Sequence, residues 1–388
     1  MATLTGILEW PERTEGRVRQ LADTLVEHSD DPFVPVALGE QYPLRAGQEV
    51  TVEVIQKRPR RRSKKGGPRP PRPVVERVLS IEGLDPEEYA ARRPFEELSS
   101  VDPGPRLTLE HPGCPPACRL IDLFCPIGRG QRGLIVSPPK AGKTTLLHDI
   151  ARGVSINHPE VELFAMLIDE RPEEVTEFRR NCPARVFASS NDRDIDNHIN
   201  VASMVVERAR RMTEAGKHVL VLLDSLTRLG RAFNNSRRHA NSGRTLSGGI
   251  DAKAMTIPRY IFGSARNTEE AGSLTILASC LVDTGSQGDQ VIFEEFKGTG
   301  NMELVLDRKI AERRLFPAIN LAASGTRKED KLLDPQEYKT VSALRRRLIN
   351  MHPHQQVEQL LAALKRFETN ADLVGLNQAG RANAGEAA

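Results

Sequence analysis

Residues 133–154 read GLIVSPPKAGKTTLLHDIARGV, and their types and order are those that hold a polyphosphate. An apolar run, GLIVS, leads into PPKAGKTT, after which Leu146, Leu147, Ile150 and Val154 fall on one helical face. In such a strand–loop–helix the backbone amides around Ala141, Gly142 and Lys143 converge at the positive end of a helix, where an anion is held. Gly142 lets the backbone approach closely. Lys143 offers a mobile charge to β- and γ-phosphates, and the Thr144 hydroxyl, next to Thr145, is a ligand for Mg²⁺. The first glycine of the usual G-x-x-x-x-G-K-[ST] pattern is missing. Ser137 stands in its place, small enough for the turn and followed by two prolines that stiffen it.

Three other positions have types suited to the same chemistry. HVLVLLD (218–224) is an apolar strand ending in Asp224, a carboxylate fit to hold Mg²⁺-bound water, though a strand-terminal Asp also serves as a helix cap. LFAMLID (163–169) runs into Glu170 and Arg171, and Glu170 is the candidate to polarise a water that attacks a γ-phosphate. The alternative there is a solvated acidic turn, but open α/β sheets bind ligands at the carboxyl ends of their strands. Arg327 lies in SGTRKED, far along the chain from the phosphate loop. A guanidinium in that small-residue setting can reach a neighbouring subunit's nucleotide.

The elements that must position these groups fall into two textures. From about residue 113 onward, candidate strands (133–137, 163–169, 186–189, 218–224 and 273–279) alternate with helical stretches such as NVASMVVERARRMTEAG (200–216). That is the pattern of an α/β domain with a mainly parallel sheet, here 113–388 with a frayed C-terminal tail. Residues 1–90 read instead as short strands, TGILEW, VPVALG, QEVTVEVIQ and PVVERVLSIEG, and have the size of a small β-barrel. Residues 91–112 serve as a linker, within a helix-then-loop connector (84–106) in which Pro103 and Pro105 mark the way into the next domain.

Charge is distributed unevenly. The formal net charge is +3, yet residues 57–73, KRPRRRSKKGGPRPPRP, carry nine Lys/Arg and no acid, so the rest of the chain is net acidic. The tract interrupts two alternating runs, which suggests a hairpin with a long solvated tip, and Arg60, Arg61, Arg62, Lys64 and Lys65 make it a candidate polyanion contact. Five thinly spread cysteines argue against a disulfide framework, and Pro115 and Pro116 separate Cys114 from Cys118, which argues against zinc. No apolar run is long enough to span a membrane and no signal core opens the chain, so a soluble cytoplasmic protein with no membrane partner is expected.

Taken in order, CPIGRGQRGLIVSPPKAGKT, MLIDERPEEVTE, LLDSLTRLGRAFN, SGGIDAKAM, FEEFKGTGNMELVLDRKIAERRLFPAI and SGTRKED resemble the transcription termination factor Rho family over roughly residues 119–345. That family's phosphate loop also enters through a small residue without the first glycine. The resemblance implies a RecA-like P-loop ATPase domain preceded by an OB-fold-like RNA-binding barrel, working as a homohexamer that hydrolyses ATP with Mg²⁺ to move along single-stranded RNA. It implies no small-molecule metabolite beyond ATP, and leaves contact with RNA polymerase open.

Carried over position by position, the resemblance makes Lys143 and Thr144 the phosphate and Mg²⁺ ligands, with Lys140 at the lip of the loop. Glu170 becomes the catalytic carboxylate, Arg171 a nucleotide contact, Asp224 the second acid and Arg228 a phosphate sensor. Phe316 stacks on the adenine, and Arg327 is the finger offered to the neighbour. Gly128, Arg129, Gly130, Gln131, Arg132 and Gly133 form a turn beside the nucleotide. RNA is gripped by loops at 235–249, with Arg237, Arg238 and Arg244, and at 283–290, where Gln287 replaces a family lysine. The barrel departs further. PERTEGRVRQLADTL replaces the family's aromatic stretch and leaves Trp10, Phe33 and Tyr42 as its aromatics, so base-stacking RNA capture should be weakened. Those departures keep open a divergent paralogue that binds RNA or hydrolyses ATP without terminating transcription. A rotary-ATPase subunit or a DNA recombinase would not explain DERPEEV together with GTGNMEL and SGTRKE.

Overall fold

The computed structural model describes residues 2–11, 14–20, 28–57 and 71–376. Arg60, Arg61, Arg62, Lys64, Lys65 and the tail from 377 lie outside them. Strands β1 (Ala2–Glu9), β2 (Gly16–Gln20), β3 (Phe33–Val34), β4 (Glu49–Lys57) and β5 (Arg72–Ile81) close into a barrel in the order β1-β2-β3-β5-β4. Alternation turns Leu8, Val18, Val34, Val50 and Val52 inward, where Val75, Val78 and Trp10 join them together with Tyr89, a fourth aromatic that the count of Trp10, Phe33 and Tyr42 had left out. β4 and β5 pair antiparallel with Lys57 opposite Arg72, so the basic tract does join two paired strands.

Two readings of the barrel are corrected. VPVALG is not one strand, because only Phe33–Val34 pairs. Pro35 then removes a ladder donor and Leu38–Gln41 turns into a short helix. The segment expected only as a lost aromatic stretch contains β2, hidden because charged residues flank its single inward Val18. Of those charges, Arg19 is itself buried, held by Glu9 and Asp31.

The larger domain is built on a nine-stranded sheet. Its strands are β6 (Ser100–Val101), β7 (Arg132–Ser137), β8 (Val161–Glu170), β9 (Arg185–Ser190), β10 (His218–Asp224), β11 (Arg266–Thr268), β12 (Ser273–Leu281), β13 (Met302–Val305) and β14 (Gly325–Thr326). The path runs β14-β13-β7-β12-β10-β8-β9, with every neighbouring pair from β13 to β9 parallel and β14 antiparallel at the edge. β11 continues off β12, and β6 off β11. The central strands are apolar on both faces because separate cores cover each side. Leu220 and Leu222 point to one, Val219, Val221 and Leu223 to the other.

The barrel sits on the far end of the helix Ile195–Glu214. Gly47 has φ +83 and approaches so closely that a Cβ would lie 2.3 Å from the Glu207 carbonyl carbon, a position only glycine fills without strain. Beside it Glu214, whose side chain is wholly buried, accepts from both Arg45 terminal nitrogens (2.9 and 3.0 Å), the Tyr89 hydroxyl (3.1 Å) and the Phe95 amide (2.6 Å). Arg211 is 2.7 Å away. The stretch between the two bodies is therefore packed: Phe95 is fully buried and Ser100–Val101 adds a strand.

Candidate nucleotide site

β7 ends in Ser137, whose hydroxyl donates to the Pro138 carbonyl at 3.0 Å. A small, self-satisfied side chain thus occupies the missing-glycine position inside the buried sheet end. The loop then climbs through Lys140, exposed and left-handed at φ +65, to Gly142 at φ +91, which opens the helix Lys143–Asn157. No side chain caps that helix, so its first amides are free to meet an anion.

Lys143 reaches back across the sheet. Its Nζ bonds Asp224 at the end of β10 and lies 3.6 Å from Glu170 Oε1 at the end of β8. Asp224 also accepts from Ser279 Oγ (2.7 Å) on the neighbouring β12. Arg228 completes the cluster: Nη2 donates to Glu170 Oε2 at 3.2 Å, Nε is 3.1 Å from Oε1, and Nη1 bonds the Asp169 carbonyl. Ser225 holds Arg228 in place by accepting from its backbone amide and capping the helix Leu226–Asn235. Glu170 and Asp224 are each only 2% exposed. Burial, with the Asp224 charge adding to it, pushes the Glu170 carboxyl up to about 7 against the pull of Lys143 and Arg228. Its Oε1 accepts no hydrogen bond from any described residue. A buried carboxyl poised near neutrality with a vacant lone pair is suited to take a proton from water.

Phe316 comes to the loop from β13. After β13 the chain turns through the helix Arg308–Glu312 and folds back, with Leu306 bridged to Ile319, leaving Phe316 46% exposed at the tip. A Cβ on Gly142 would sit 3.5 Å from the Phe316 ring. Between ring and loop opens a cavity of about 380 Å³, floored by Pro115, Pro116 and Ala117 and walled by Thr145 and Leu146. Sequence reasoning missed that floor, and also Ser279. The latter's only sign was its place at the end of an apolar run.

Other expected residues stand elsewhere. Arg171 is turned out to solvent, where Glu174 is its neighbour at 3.5 Å. The turn Gly128–Gly133 is not beside this chain's own phosphate loop. It lies at the opposite end of β7, five residues away, or about 17 Å at ~3.3 Å per residue. There Gly130 donates its amide to Thr275, Gln131 bonds Asn301, Arg129 pairs with Glu160, and Arg132 donates to the Thr299 and Ala265 carbonyls. Gly128 backs on Pro103, and Gly133 on Leu277 and Met302.

Arg327 is at that same end. Met302 on β13 faces both Gly133 of β7 and Thr326 of β14, so the residue after Thr326 emerges next to Arg132. The Arg327 side chain is exposed and makes no hydrogen bond or ion pair with any described residue. Its charge, together with partial burial, lowers the Arg132 pKa, burial being the larger cause. One chain therefore presents Lys143 at one end of β7 and Arg327 at the other.

The two expected RNA loops do meet. Arg237, Arg238 and Arg244 are exposed on 236–249, and none pairs with an acid among the described residues. Gly248 abuts the start of the helix Gln287–Lys297, where its added Cβ would be 2.6 Å from the Gly288 amide. Gln287 is exposed as that helix's first residue, and Arg231 ties the pair by bonding Asp289 at 2.8 and 2.6 Å.

With the site described, similarity to known proteins decides the family. The nucleotide-binding domain of the ATP synthase alpha/beta family matches residues 117–326. Transcription termination factor Rho of Aquifex aeolicus (strain VF5) is 46% identical over 373 residues, 95% of this chain and 83% of that protein. The chain belongs to the transcription termination factor Rho family. The Rho of Mycobacterium leprae (strain TN) is 48% identical over 344 residues, 89% of this chain but only 56% of that longer protein. A solved ATPase from the type III secretion system of pathogenic bacteria shares the fold, with TM-score 0.56, 22% identity, and coverage of 81% of this chain and 88% of its own. Among the described residues no helix is long and apolar enough to cross a membrane.

Proposed function

We propose that this Rho-family chain is an RNA-dependent ATPase that assembles as a ring of six, draws single-stranded RNA through the ring and terminates transcription. The observation that carries the reading is the placement of Lys143 and Arg327 at opposite ends of β7. A nucleotide on one chain's loop is beyond the reach of that chain's Arg327. A head-to-tail ring brings the neighbour's Arg327, with Arg132 beside it, to the vacant side.

In that site the Gly142–Thr144 amides and Lys143 cradle the phosphates, and Lys143 exchanges Asp224 for them. The Thr144 hydroxyl, which has no partner among the described residues, and Asp224 suit Mg²⁺, whose charge would offset that of the β- and γ-phosphate oxygens. Glu170 takes the proton of the attacking water, Arg228 holds Glu170 and registers loss of the γ-phosphate, and Phe316 stacks on the base. Arg237, Arg238 and Arg244 offer positive charge to the RNA backbone, and Gln287 adds a polar contact without charge. The barrel contributes little stacking, since Trp10 is buried and Phe33 is flanked by Arg17 and Arg72 at 4.6 and 4.0 Å from its ring centre. Positive charge, with that of the basic tract Arg60–Lys65 in the sequence, then dominates capture.

ATP turnover measured with RNA, with DNA of the same sequence and without polymer tests the proposal. RNA should stimulate turnover well above both other conditions. Equal rates in all three would refute it.

A further inference from the structure

We propose that Asp102 is a positioning residue for the arginine finger, aiming Arg327 at the neighbouring chain's nucleotide by fixing the backbone turn that follows it. This rests on the shared-site reading. The Arg327 side chain has no partner among the described residues, so its direction is set by its own backbone. On one side that backbone is fixed by the sheet: Thr326 pairs with Met302, and the Arg327 amide donates to the Asn301 carbonyl at 2.9 Å. On the other side the chain turns sharply at Lys328, which is left-handed at φ +56 and ψ +39. A residue other than glycine keeps that conformation only where its surroundings impose it.

Asp102 is what imposes it. Lys328 Nζ donates to both Asp102 carboxylate oxygens, at 2.7 and 2.9 Å, and Lys331 Nζ donates to Oδ2 at 2.6 Å. Asp102 stands outside the finger loop and is itself anchored. It follows β6, whose Val101 pairs with Asn267 on β11, and Asn267 Nδ2 donates to the Gly104 carbonyl at 2.6 Å. Beside the two ion pairs Leu332 is buried, 4.0 Å from where a Cβ on Gly104 would stand. The pairs themselves are exposed, and exposed pairs add little to stability. Three bonds on one anchored carboxylate suit them instead to hold a direction, and a misplacement of about 1 Å at a catalytic group costs about a hundredfold in rate. Those bonds, that of Lys328 foremost, hold the Asp102 carboxyl at about 2, so the clamp stays closed throughout the working pH range and only a substitution opens it.

Mixed rings test this, because they place Asp102→Asn either on the chain that supplies the finger or on the chain that supplies the phosphate loop. In a reference mixture of Lys143→Ala with Arg327→Ala, RNA-stimulated ATP turnover arises only where a sound loop meets a sound finger. Adding Asp102→Asn to the Lys143→Ala chain alters the finger side of every such interface, and turnover should fall about tenfold. Adding it to the Arg327→Ala chain alters only the loop side, and turnover should stay within about twofold of the reference. The single variant Asp102→Asn should melt within about 2 °C of the unaltered chain, as befits an exposed pair. Equal turnover in all three mixtures, a fall in both altered mixtures, a rise in the first or a clearly lowered melt would overturn the assignment. A reference mixture with no turnover, although its chains assemble and exchange, would instead remove the shared site and the role of Asp102 with it.

Discussion

Replacing Glu170 by glutamine probes the electrostatics of the cluster through stability as well as through catalysis. The carboxyl is lifted from an ordinary 4.5 to about 7, so the fold favours its neutral form. That preference is fully expressed below about pH 4.5 and is lost as pH rises through 7, where the protein must hold an ionised carboxylate at 2% exposure beside Asp224. At 1.36 kcal/mol per pH unit the cost approaches about 3 kcal/mol, and sharing of charge among Lys143, Arg228 and Asp224 reduces it to about 1–3 kcal/mol. Glutamine has nearly the same shape and no charge. Lys143 keeps Asp224, and Arg228 keeps Asp169. Glu170→Gln should therefore melt a few degrees above the unaltered, nucleotide-free protein at pH 8, with the gap closing by about pH 5. Thermal unfolding across that range reads it. A variant no more stable at pH 8, or a gap that widens on acidification, would show that the two cations outweigh burial. The same substitution should leave ATP binding within about threefold and lower turnover by about 10²–10⁴.

Two further outcomes follow from the packing. On the proposed stacking role, Phe316→Ala should weaken ATP binding about tenfold while leaving the melting temperature unchanged, because the ring is half-exposed; titration calorimetry and a melt separate the two. Glu214→Ala should destabilise the protein by about 3–5 kcal/mol, since it strands Arg45, Arg211, the Tyr89 hydroxyl and the Phe95 amide at the barrel junction. Denaturant unfolding would show it, and a loss under about 1 kcal/mol would mean the barrel is held by other contacts.

The parallel sheet was legible because buried parallel strands are apolar throughout, so β7, β8, β9, β10 and β12 stand out in sequence. β2, β13 and β14 did not. Five residues carrying two arginines in β2, or two residues in β14, leave no periodicity, and their pairing is set by distant partners. The local part of the site was readable for the same reason: Gly142, Lys143 and Thr144 form one continuous loop, and Asp224 and Glu170 each end a strand. What depends on where a strand ends in space was not readable. GRGQRG is adjacent to the phosphate loop in sequence yet a full strand away, Arg171 turns outward beside an inward Glu170, and Arg327 finds Arg132 only through the β7–β13–β14 register. The Pro115–Ala117 floor carries no motif, and only the folded cavity brings it beside Phe316 and the phosphate loop.

Mixing two inactive variants tests the shared site most directly. Lys143→Ala keeps a sound Arg327 and Arg327→Ala a sound loop, so in random rings about a quarter of the interfaces would join two intact halves. RNA-stimulated ATP turnover should return on mixing and subunit exchange, while each variant alone stays inactive. If the mixture remains as inactive as its parts although both variants assemble and exchange, Lys143 and Arg327 do not meet across protomers, and the account of the motor falls.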